Sequence, residues 1–434
     1  MRLLRDSSDI GYGIHEFAKE IWPLNRRLTG EGVRKTLEQI KAHLPKLEIK
    51  SVPSGTAVFD WIIPKEWSVN EAYIVTPNGE KICDFKTNNL HLLGCSTPFD
   101  GKVSLKELKE HLYTLPDQPE AIPYITSYYK ERWGFCLSQD QYNQLEEGEY
   151  CVNIDTKHFD GVLNYAELII RGKSSQEVFL STYVCHPSMA NNELSGPTVV
   201  TYIAKWLSEL KHLDYTYRII FIPETIGSIT YLSLHHNDMK KNIFSGFNVS
   251  CVGDDRAYSY LPSRNGNTLS DTVAKHVLKH MDSNFKSYTW LDRGSGERQY
   301  CAPGIDLPIA SIMRTKYGQY PEYHTSLDDL ENVVTPEGLK GRYWALRRAI
   351  EAIEKNKTYR VTVLCEPQIG KRVLYPTLST KKSGEQVRLM MNLISLCDGQ
   401  KSLLEIAESL KALVWELYET IETLVNHKLL EISE

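Results

Sequence analysis

The chain has 434 residues, of which 41% are hydrophobic and 24% are charged, and its formal net charge at pH 7 is −5. These values exclude a disordered chain and give no electrostatic reason to expect nucleic-acid binding, and the length predicts two or three domains. Nine scattered cysteines without a CxxC pair, no targeting segment and no apolar run near the roughly 20 residues of a membrane span indicate a cytoplasmic protein that does not enter membranes.

The N-terminal part changes from a helical to a strand-like pattern. Residues 14–44 carry apolar side chains at helical spacing, interrupted near Pro23 and at Gly30, and predict two helices. From Leu47 short alternating segments follow, so residues 54–163 are predicted to form a β-rich insert with one helix over residues 105–115. No alternation of strands and helices occurs in this insert.

That alternation begins near Ala166 and predicts an α/β domain. Apolar strands end at His186, at Pro223-Glu224 and at Met313, helical patterns lie between them, and a long helix covers 336 to about 356. Such a pattern predicts a largely parallel sheet with helices on both faces. The α/β domain would comprise residues 1–53 and 164–365.

The C-terminal residues 366–434 are predicted to form a winged-helix domain. A basic linker over residues 371–382 precedes three helical segments and a final strand near Leu430. The third helix is the one expected to read DNA, yet it carries Glu416, Glu419 and Glu422, which phosphates would repel. We therefore predict that this domain binds a protein partner or forms a homodimer, and that it does not bind nucleic acid.

Residues 181–196 place a histidine where open α/β sheets bind ligands. A buried strand stops at His186-Pro187 because proline cannot continue a ladder, a polar loop follows, and a helix begins near Ser195. Cys185 precedes His186, but neighbours on a strand face opposite ways, which argues against a Cys–His nucleophile. Other metal-binding or proton-transferring side chains follow strand ends elsewhere: Glu224, Asp254 or Asp255, and His324.

These motifs resemble the zinc aminopeptidase family, which includes bacterial leucyl aminopeptidases, glutamate carboxypeptidase and glutaminyl cyclase. The shared features are the strand-end His186, the loop before Ser195-Gly196 and the His324-Thr325 pair. More narrowly, the chain resembles bacterial aminopeptidase-like proteins with a β-rich insert and a C-terminal winged helix. The resemblance implies a zinc exopeptidase-like fold in which the insert walls the cleft.

The resemblance also implies roles for individual residues. Glu224 would be the general base, and the metal ligands would be His186, His324 and Asp254, with Asn192 as a neutral oxygen donor or Glu193 as an alternative acid. Asp254 lies several residues from the position of the family's ligand. A loop over residues 295–300 would line the pocket, so Glu297 and Arg298 are predicted substrate contacts. Tyr323, which precedes His324, is the third predicted contact.

Four positions depart from the family pattern. Ser188 replaces an Asp that orients the first histidine, Asn192 replaces a bridging Asp, Thr225 replaces a Glu of the second metal, and Gly296 replaces a pocket Asp. Two zinc ions need the bridging Asp and that Glu to offset their charge. We therefore predict one zinc per chain.

The sequence leaves two functions open. The first is a zinc-dependent, aminopeptidase-like amide hydrolase that acts on a short peptide or an N-acylated small molecule. The second is a catalytically inactive binding or scaffold protein, which the four departures favour and the retention of His186, Glu224 and His324 disfavours.

Overall fold

A computed structural model describes residues 10–128, 130–372, 374 and 381–433. It divides into two units, one formed by Met1–Asp271 with Asn284–Trp344, the other by Thr272–Ser283 with Ala345–Glu434. Within the described residues, no helix combines the length and apolarity that crossing a membrane requires. All nine cysteines are unpaired.

The structure contains the predicted helices and strands together with short elements that the pattern analysis did not predict. The strands are β1 (Glu48–Pro53), β2 (Ala57–Val58), β3 (Trp61–Ile62), β4 (Glu66–Val75), β5 (Lys81–Ile82), β6 (Phe99–Ser104), β7 (Leu112–Tyr113), β8 (Phe135–Cys136), β9 (Glu149–Phe159), β10 (Val162–Ile170), β11 (Glu177–Tyr183), β12 (Thr216–Ile222), β13 (Ile243–Asn248), β14 (Ser259–Leu261), β15 (Lys286–Ser287), β16 (Ile309–Met313), β17 (Thr358–Val361), β18 (Asp398–Ser402) and β19 (Leu430–Ile432). The helices are α1 (Ile10–Ile21), α2 (Glu31–His43), α3 (Leu105–Lys109), α4 (Gln139–Asn143), α5 (Ser195–Glu209), α6 (Ile226–Asn242), α7 (Leu269–Met281), α8 (Glu297–Tyr300), α9 (Pro336–Glu354), α10 (Lys381–Leu396), α11 (Leu403–Leu410) and α12 (Val414–Asn426).

The first unit is built on an eight-stranded sheet in the order β1-β10-β12-β11-β13-β16-β14-β15. Its centre is parallel, since β11 pairs in parallel with β12 and β13, and β13 pairs in parallel with β16. Every residue of β11 and β12 is buried, as expected for parallel strands covered on both faces. The predicted α/β class is confirmed, although β1, β10 and β14 add antiparallel pairs toward the edges.

The residues between β1 and β10 form the β-rich insert. Four antiparallel strands, in the order β5-β4-β9-β6, cover a hydrophobic core of their own. The helix predicted over 105–115 already ends at Lys109, because Leu112 and Tyr113 leave the helix and pair with β8. At the ends of the insert, the backbone N–H of Ser54 donates to the carbonyl oxygen of Gly161 at 2.9 Å.

The second unit holds α10 to α12, most of α7 and the C-terminal part of α9, together with a three-stranded antiparallel sheet in the order β18-β17-β19. Its longer segment begins at Ala345, within α9, so the unit includes residues before the predicted boundary at residue 366 as well as residues 272–283. Most of the predicted linker, residues 371–382, lies outside the described residues. The exposed face of α12 presents Glu416, Glu419 and Glu422 to solvent.

Candidate active site

Two of the predicted site residues follow neighbouring strands of the parallel centre. His186 comes shortly after β11 and Glu224 shortly after β12. Because parallel neighbours end at the same edge of a sheet, both side chains reach one place. Nε2 of His186 lies 3.7 Å from Oε2 of Glu224, and both side chains are largely buried.

His324 joins this pair from a later loop. The imidazole centroids of His186 and His324 are 5.7 Å apart. The ring of Tyr323 stacks on His324 with centroids 3.9 Å apart, and Tyr124 lies 5.4 Å from His186 and 5.3 Å from His324. The structure therefore brings together His186, Glu224, His324 and Tyr323, with Tyr124 beside them.

The loop of His324 is held by the insert. The backbone N–H of Tyr124 donates to the carbonyl oxygen of His324 at 2.9 Å, and that of Ser326 donates to Ile122 at 2.9 Å. The Ile122 N–H in turn donates to Oγ of Ser326 at 3.0 Å. The insert thus forms one wall of the site, and Tyr124 is a wall residue that no sequence motif indicated.

Burial sets the protonation states of these groups. Burial lowers the pKa of His324 to about 4. Burial first, and then electrostatic interaction with His324, Arg27 and Arg26, lowers the pKa of His186 well below its usual value. Burial also raises the pKa of Glu224 to about 7, against the opposing charge of Arg298. Neutral imidazoles are metal ligands, and a carboxylate with a pKa near 7 suits proton transfer at neutral pH.

Three residues of the same loops have strained backbone conformations. Ser188, Thr225 and His324 have φ values of 45°, 59° and 59°, a region that side-chain-bearing residues rarely adopt. The surrounding contacts must hold such conformations, which recur at functional sites. Each of these residues either belongs to the site or lies within two positions of one that does.

The loop between His186 and α5 is fixed by a carboxylate from the loop of His324. Asp328 is wholly buried and accepts the backbone N–H groups of Asn191 at 2.6 Å and Asn192 at 3.0 Å, together with the Tyr320 hydroxyl at 3.0 Å. The next helix can start close to the sheet because position 196 is glycine: a Cβ there would lie 2.4 Å from Oγ1 of Thr182. Asp328 is thus a positioning residue.

The two alternative oxygen donors of this loop differ in their contacts. Glu193 forms a wholly buried ion pair with Arg26, whose Nε lies 2.9 Å from Oε2, and Oε1 of Glu193 has no partner. The Tyr183 hydroxyl donates to the backbone oxygen of Asn192 at 2.6 Å, while the side-chain Nδ2 of Asn192 is buried without a partner. Of the two candidate donor oxygens, Oδ1 of Asn192 also accepts from the Tyr183 hydroxyl at 3.2 Å, whereas Oε1 of Glu193 accepts from no described group.

Asp254 is buried and is held by hydrogen bonds from neighbouring loops. Its Oδ1 accepts from the Thr315 hydroxyl at 2.6 Å and the Arg256 N–H at 3.0 Å, and its Oδ2 accepts from Asn191 Nδ2 and the Thr315 N–H, both at 2.9 Å. Four donors occupy both oxygens, and no described contact joins Asp254 to either histidine. These bonds hold the loops around Asp254, and its role as a metal ligand stays a prediction. Asp255 contacts the Thr335 hydroxyl at 3.2 Å.

The predicted substrate contacts separate into two kinds. Glu297 is wholly buried, and its oxygens accept from the N–H groups of Gly294 and Ser295, the Tyr317 hydroxyl and the Asn248 amide, so it shapes its own loop. Arg298 is exposed and donates from Nη2 to the Thr225 hydroxyl at 2.7 Å, next to Glu224. Only Arg298 of these two keeps donors available to a ligand.

Cys185 contacts two residues of the site, His186 and Glu224. Its Sγ accepts the backbone N–H of Glu224 at 3.1 Å and lies 3.4 Å from Nδ1 of His186. The contact occurs because the chain has left β11 at Tyr183, so the alternation of a strand no longer separates the two side chains. Burial raises the pKa of Cys185 well above its usual value, so the group is a thiol and a poor nucleophile.

A second histidine cluster, His276, His280 and Glu408, lies in the second unit with ligand atoms within 4.8 Å of one another. The Val414 N–H donates to Nε2 of His276 at 3.1 Å, so Nδ1 carries the proton and donates to Oε1 of Glu408 at 2.5 Å. Neither ring nitrogen of His276 has a free lone pair for a metal. The cluster is a hydrogen-bonded packing arrangement.

Comparison with known proteins identifies the family to which the chain belongs and structures with a similar fold. Residues 15–356 match the model of a domain of unknown function (DUF4910), and residues 357–432 match a winged helix-turn-helix. A Clostridium acetobutylicum protein, 43% identical over 408 residues (94% of this chain and 93% of that protein), bears the name of a polysaccharide biosynthesis protein with an aminopeptidase-like domain.

Solved structures agree with this match. The crystal structure of a protein described as a peptidase from Clostridium acetobutylicum has a TM-score of 0.92 at 42% identity, covering 98% of this chain and 97% of that one. The zinc aminopeptidase of Bacillus subtilis has a TM-score of 0.58 at 14% identity, covering 80% and 94%. These matches confirm the predicted aminopeptidase-like fold and the C-terminal winged helix.

Proposed function

The chain belongs to the DUF4910 family, and from that premise we propose that it is a zinc-dependent, aminopeptidase-like amide hydrolase. The observation that carries this proposal is the meeting of Glu224 with the neutral imidazoles of His186 and His324 at one edge of the sheet. A hydrolase is also what the peptidase-type fold neighbours suggest.

The donor set suits one zinc ion better than two. His186 and His324 would bind through neutral imidazoles, and the buried amide of Asn192, whose Oδ1 now accepts from the Tyr183 hydroxyl at 3.2 Å, would offer that oxygen. Thr225 and Asn192 bring no charge to offset a second ion. Bound zinc would supply Lewis acidity, which lowers the pKa of water and polarises an amide carbonyl.

The reaction needs proton transfers that Glu224 can perform. As water oxygen bonds to the amide carbon, Glu224 takes the proton that water loses. As the carbon–nitrogen bond breaks, Glu224 returns that proton to the leaving amine, so that an acid and an amine are formed. The pKa near 7 makes both transfers feasible at neutral pH, and the aromatic rings of Tyr124 and Tyr323 keep bulk water from the histidines.

The substrate is a short peptide or an N-acylated small molecule. The name of the Clostridium relative, which refers to polysaccharide biosynthesis, favours N-acylated amino sugars within the second class. The C-terminal winged helix would bind a protein partner or a second copy, because the exposed glutamates of α12 repel nucleic acid. Absence of a gel shift with random duplex DNA at low salt is the expected result.

The first test is metal content. Protein purified without added metal should hold about one zinc per chain by elemental analysis, and His186→Ala should lose it because only one imidazole would remain. His276→Ala is the matched control, since His276 is equally buried but belongs to the packing cluster, and it should keep the zinc. Two tightly held zinc ions, or zinc lost only in the control, would contradict the proposal.

The second test is the base. Glu224→Gln keeps the size of the side chain but cannot take a proton, so hydrolysis of an N-acyl amine should fall about 100- to 10,000-fold while zinc is retained. Steady-state kinetics and elemental analysis on the same preparation measure both. Turnover equal to that of the wild type would exclude Glu224 as the base.

A metal-free binding protein is the second candidate. The hydrogen-bonded carboxylate of Asp254 favours it, because both of its oxygens already have donors. Protein that takes up no zinc even when zinc is offered, and that shows no turnover, would support this function over hydrolysis.

A further inference from the structure

Two arginines at the site, Arg27 and Arg298, form no ion pair within 4.0 Å of an acidic side chain among the described residues, although the charge of Arg298 acts on Glu224. Arg27 is 3% exposed and donates only to neutral oxygens, from Nε to Asn25 Oδ1 at 3.2 Å and from Nη2 to the Asn89 carbonyl at 3.4 Å. Its Nη1 is buried without a partner. Arg298 donates to the Thr225 hydroxyl. By contrast, the neighbouring Arg26 is neutralised by Glu193.

Both arginines lie close to the residues proposed to react. The guanidinium carbon of Arg27 is 5.8 Å from the ring of Tyr124, and that ring is 5.4 Å from the ring of His186. Arg298 approaches from the side of Glu224, since its hydrogen-bond partner Thr225 is the next residue in the chain. A positive charge therefore lies on each side of the site, that of Arg27 near His186 and that of Arg298 near Glu224.

The unpartnered nitrogen of Arg27 packs against a glycine, where no side chain offers it an acceptor. Gly94 lies beside it, and a Cβ at that position would be 2.8 Å from Nη1. The ring of Trp67, 5.5 Å from the guanidinium carbon, covers another side. A desolvated guanidinium N–H without an acceptor is unfavourable, and carboxylate or phosphate oxygens are the acceptors that its planar geometry matches.

We propose that the substrate is anionic, an N-acylated amine carrying a carboxylate or a phosphate, and that Arg27 and Arg298 bind this group. Arg27 makes the fixed, buried contact, and the exposed Arg298 attracts the anion from solvent. The identification of the substrate as an N-acylated amine rests on the proposed function. The binding of the anion itself does not depend on zinc or on turnover.

The test is a titration of the full-length protein with inorganic phosphate and, separately, with acetate, followed by calorimetry at low ionic strength. Arg27→Lys keeps the charge but loses the planar fork, and Arg298→Gln removes an exposed charge; each should weaken binding about fivefold or more. Gly94→Ala, which displaces Nη1 without changing the charge, should weaken it similarly. Binding of phosphate identifies a phosphate ester, and binding of acetate alone identifies a carboxylate.

Matched controls use arginines elsewhere in the first unit. Arg132→Lys changes an arginine of the insert whose three nitrogens already have acceptors, and Arg293→Gln changes an exposed arginine that stacks on Trp290. Both should bind the anion as the wild type does. Thermal unfolding measures whether each variant is folded. If Arg27→Lys does not fold, Arg298→Gln and Gly94→Ala still decide the test.

The outcomes separate this inference from the proposed function. No anion binding by the wild type, or equal binding by all variants, overturns it even if zinc and hydrolysis are found. Anion binding that depends on Arg27 and Arg298 supports it even if metal analysis and the Glu224→Gln kinetics exclude a hydrolase.

Discussion

Thr225 shows how a single strained residue supports the site. Its φ of 59° and ψ of −82° fall in a region that only glycine adopts readily, and they turn the chain between Glu224 and the start of α6. The Arg298 contact and the packing of the following helix hold this conformation. This turn follows directly after Glu224, whose Oε2 lies 3.7 Å from Nε2 of His186.

Replacing Thr225 with glycine should therefore stabilise the protein and impair the site. Thr225→Gly relieves a backbone conformation worth about 1 kcal/mol, so thermal unfolding should shift upward, while the less constrained Glu224 should lower turnover. Thr289→Gly is the contrast, since Thr289 has an ordinary φ of −105° and caps a short helix. That change should destabilise the protein. A similar loss of stability in both variants would show that Thr225 is not strained.

Some residues of the site could be predicted from the sequence and others could not. His186, Glu224 and His324 follow apolar strands, so local pattern and family motif both point to them. Tyr124 and Arg27 approach from the insert and from the loop after α1, and nothing near them in sequence marks that approach. Their roles arise from tertiary contacts, which periodicity does not encode.

At the scale of elements, a buried ion cluster joins β10, β11, β12 and α6. Arg218 on β12 donates to Glu177 at 2.6 and 3.0 Å, to Glu167 at 3.3 Å and to Asp238 at 2.6 Å. Lys50 and Tyr231 also donate to Glu167. Burial alone would raise the pKa of Glu167, but the bonds from Lys50 and Tyr231 and the charge of Arg218 outweigh it and hold that pKa below 4.5.

Glu167→Gln should destabilise the first unit by about 2 kcal/mol near pH 7, because buried donors lose a charged acceptor. A folded-state pKa below the unfolded value means that this contribution is complete above about pH 4.5 and disappears as the pH falls through the folded-state pKa. Denaturant unfolding at pH 7 and in acid should show the difference shrinking. Glu149→Gln, which breaks an exposed pair with Lys102, should have almost no effect at either pH.

Helices and strands could be predicted where hydrophobic residues recur at a clear helical or strand-like spacing. The parallel strands β11 and β12 and the helix α9 coincide with clear apolar patterns. The antiparallel pairing of β1 with β10 was not predicted, since the partners are separated by the whole insert. The shortened helix α3 was missed because strand pairing with β8 outweighs local helical spacing.

At the scale of the whole molecule, the matched family segments and the compact units do not share a boundary. The winged-helix match begins at residue 357, yet the second unit also contains residues 272–283. Within that unit, wholly buried His276 bonds to Glu408 and to the backbone of Val414, and its ring lies 5.8 Å from that of Trp415.

A chain that ends at residue 356 should therefore be less stable than the full chain. It would lose every one of these partners, and each buried polar group left unpaired costs about 1–3 kcal/mol. Thermal unfolding of the shortened chain should occur several degrees lower, and dye binding should report newly exposed apolar surface. An unchanged melting temperature would mean that α7 does not depend on the C-terminal segment.

The closed ends of the insert have an evolutionary consequence. The chain leaves the sheet after β1 and returns at β10, its direct neighbour, with Ser54 bonded to Gly161. The entropy of closing a loop rises only slowly with its length, so the sheet tolerates a longer, shorter or unrelated segment here. Since that segment supplies Tyr124, descendants can acquire new substrates by exchanging it while the histidines and glutamate are inherited unchanged.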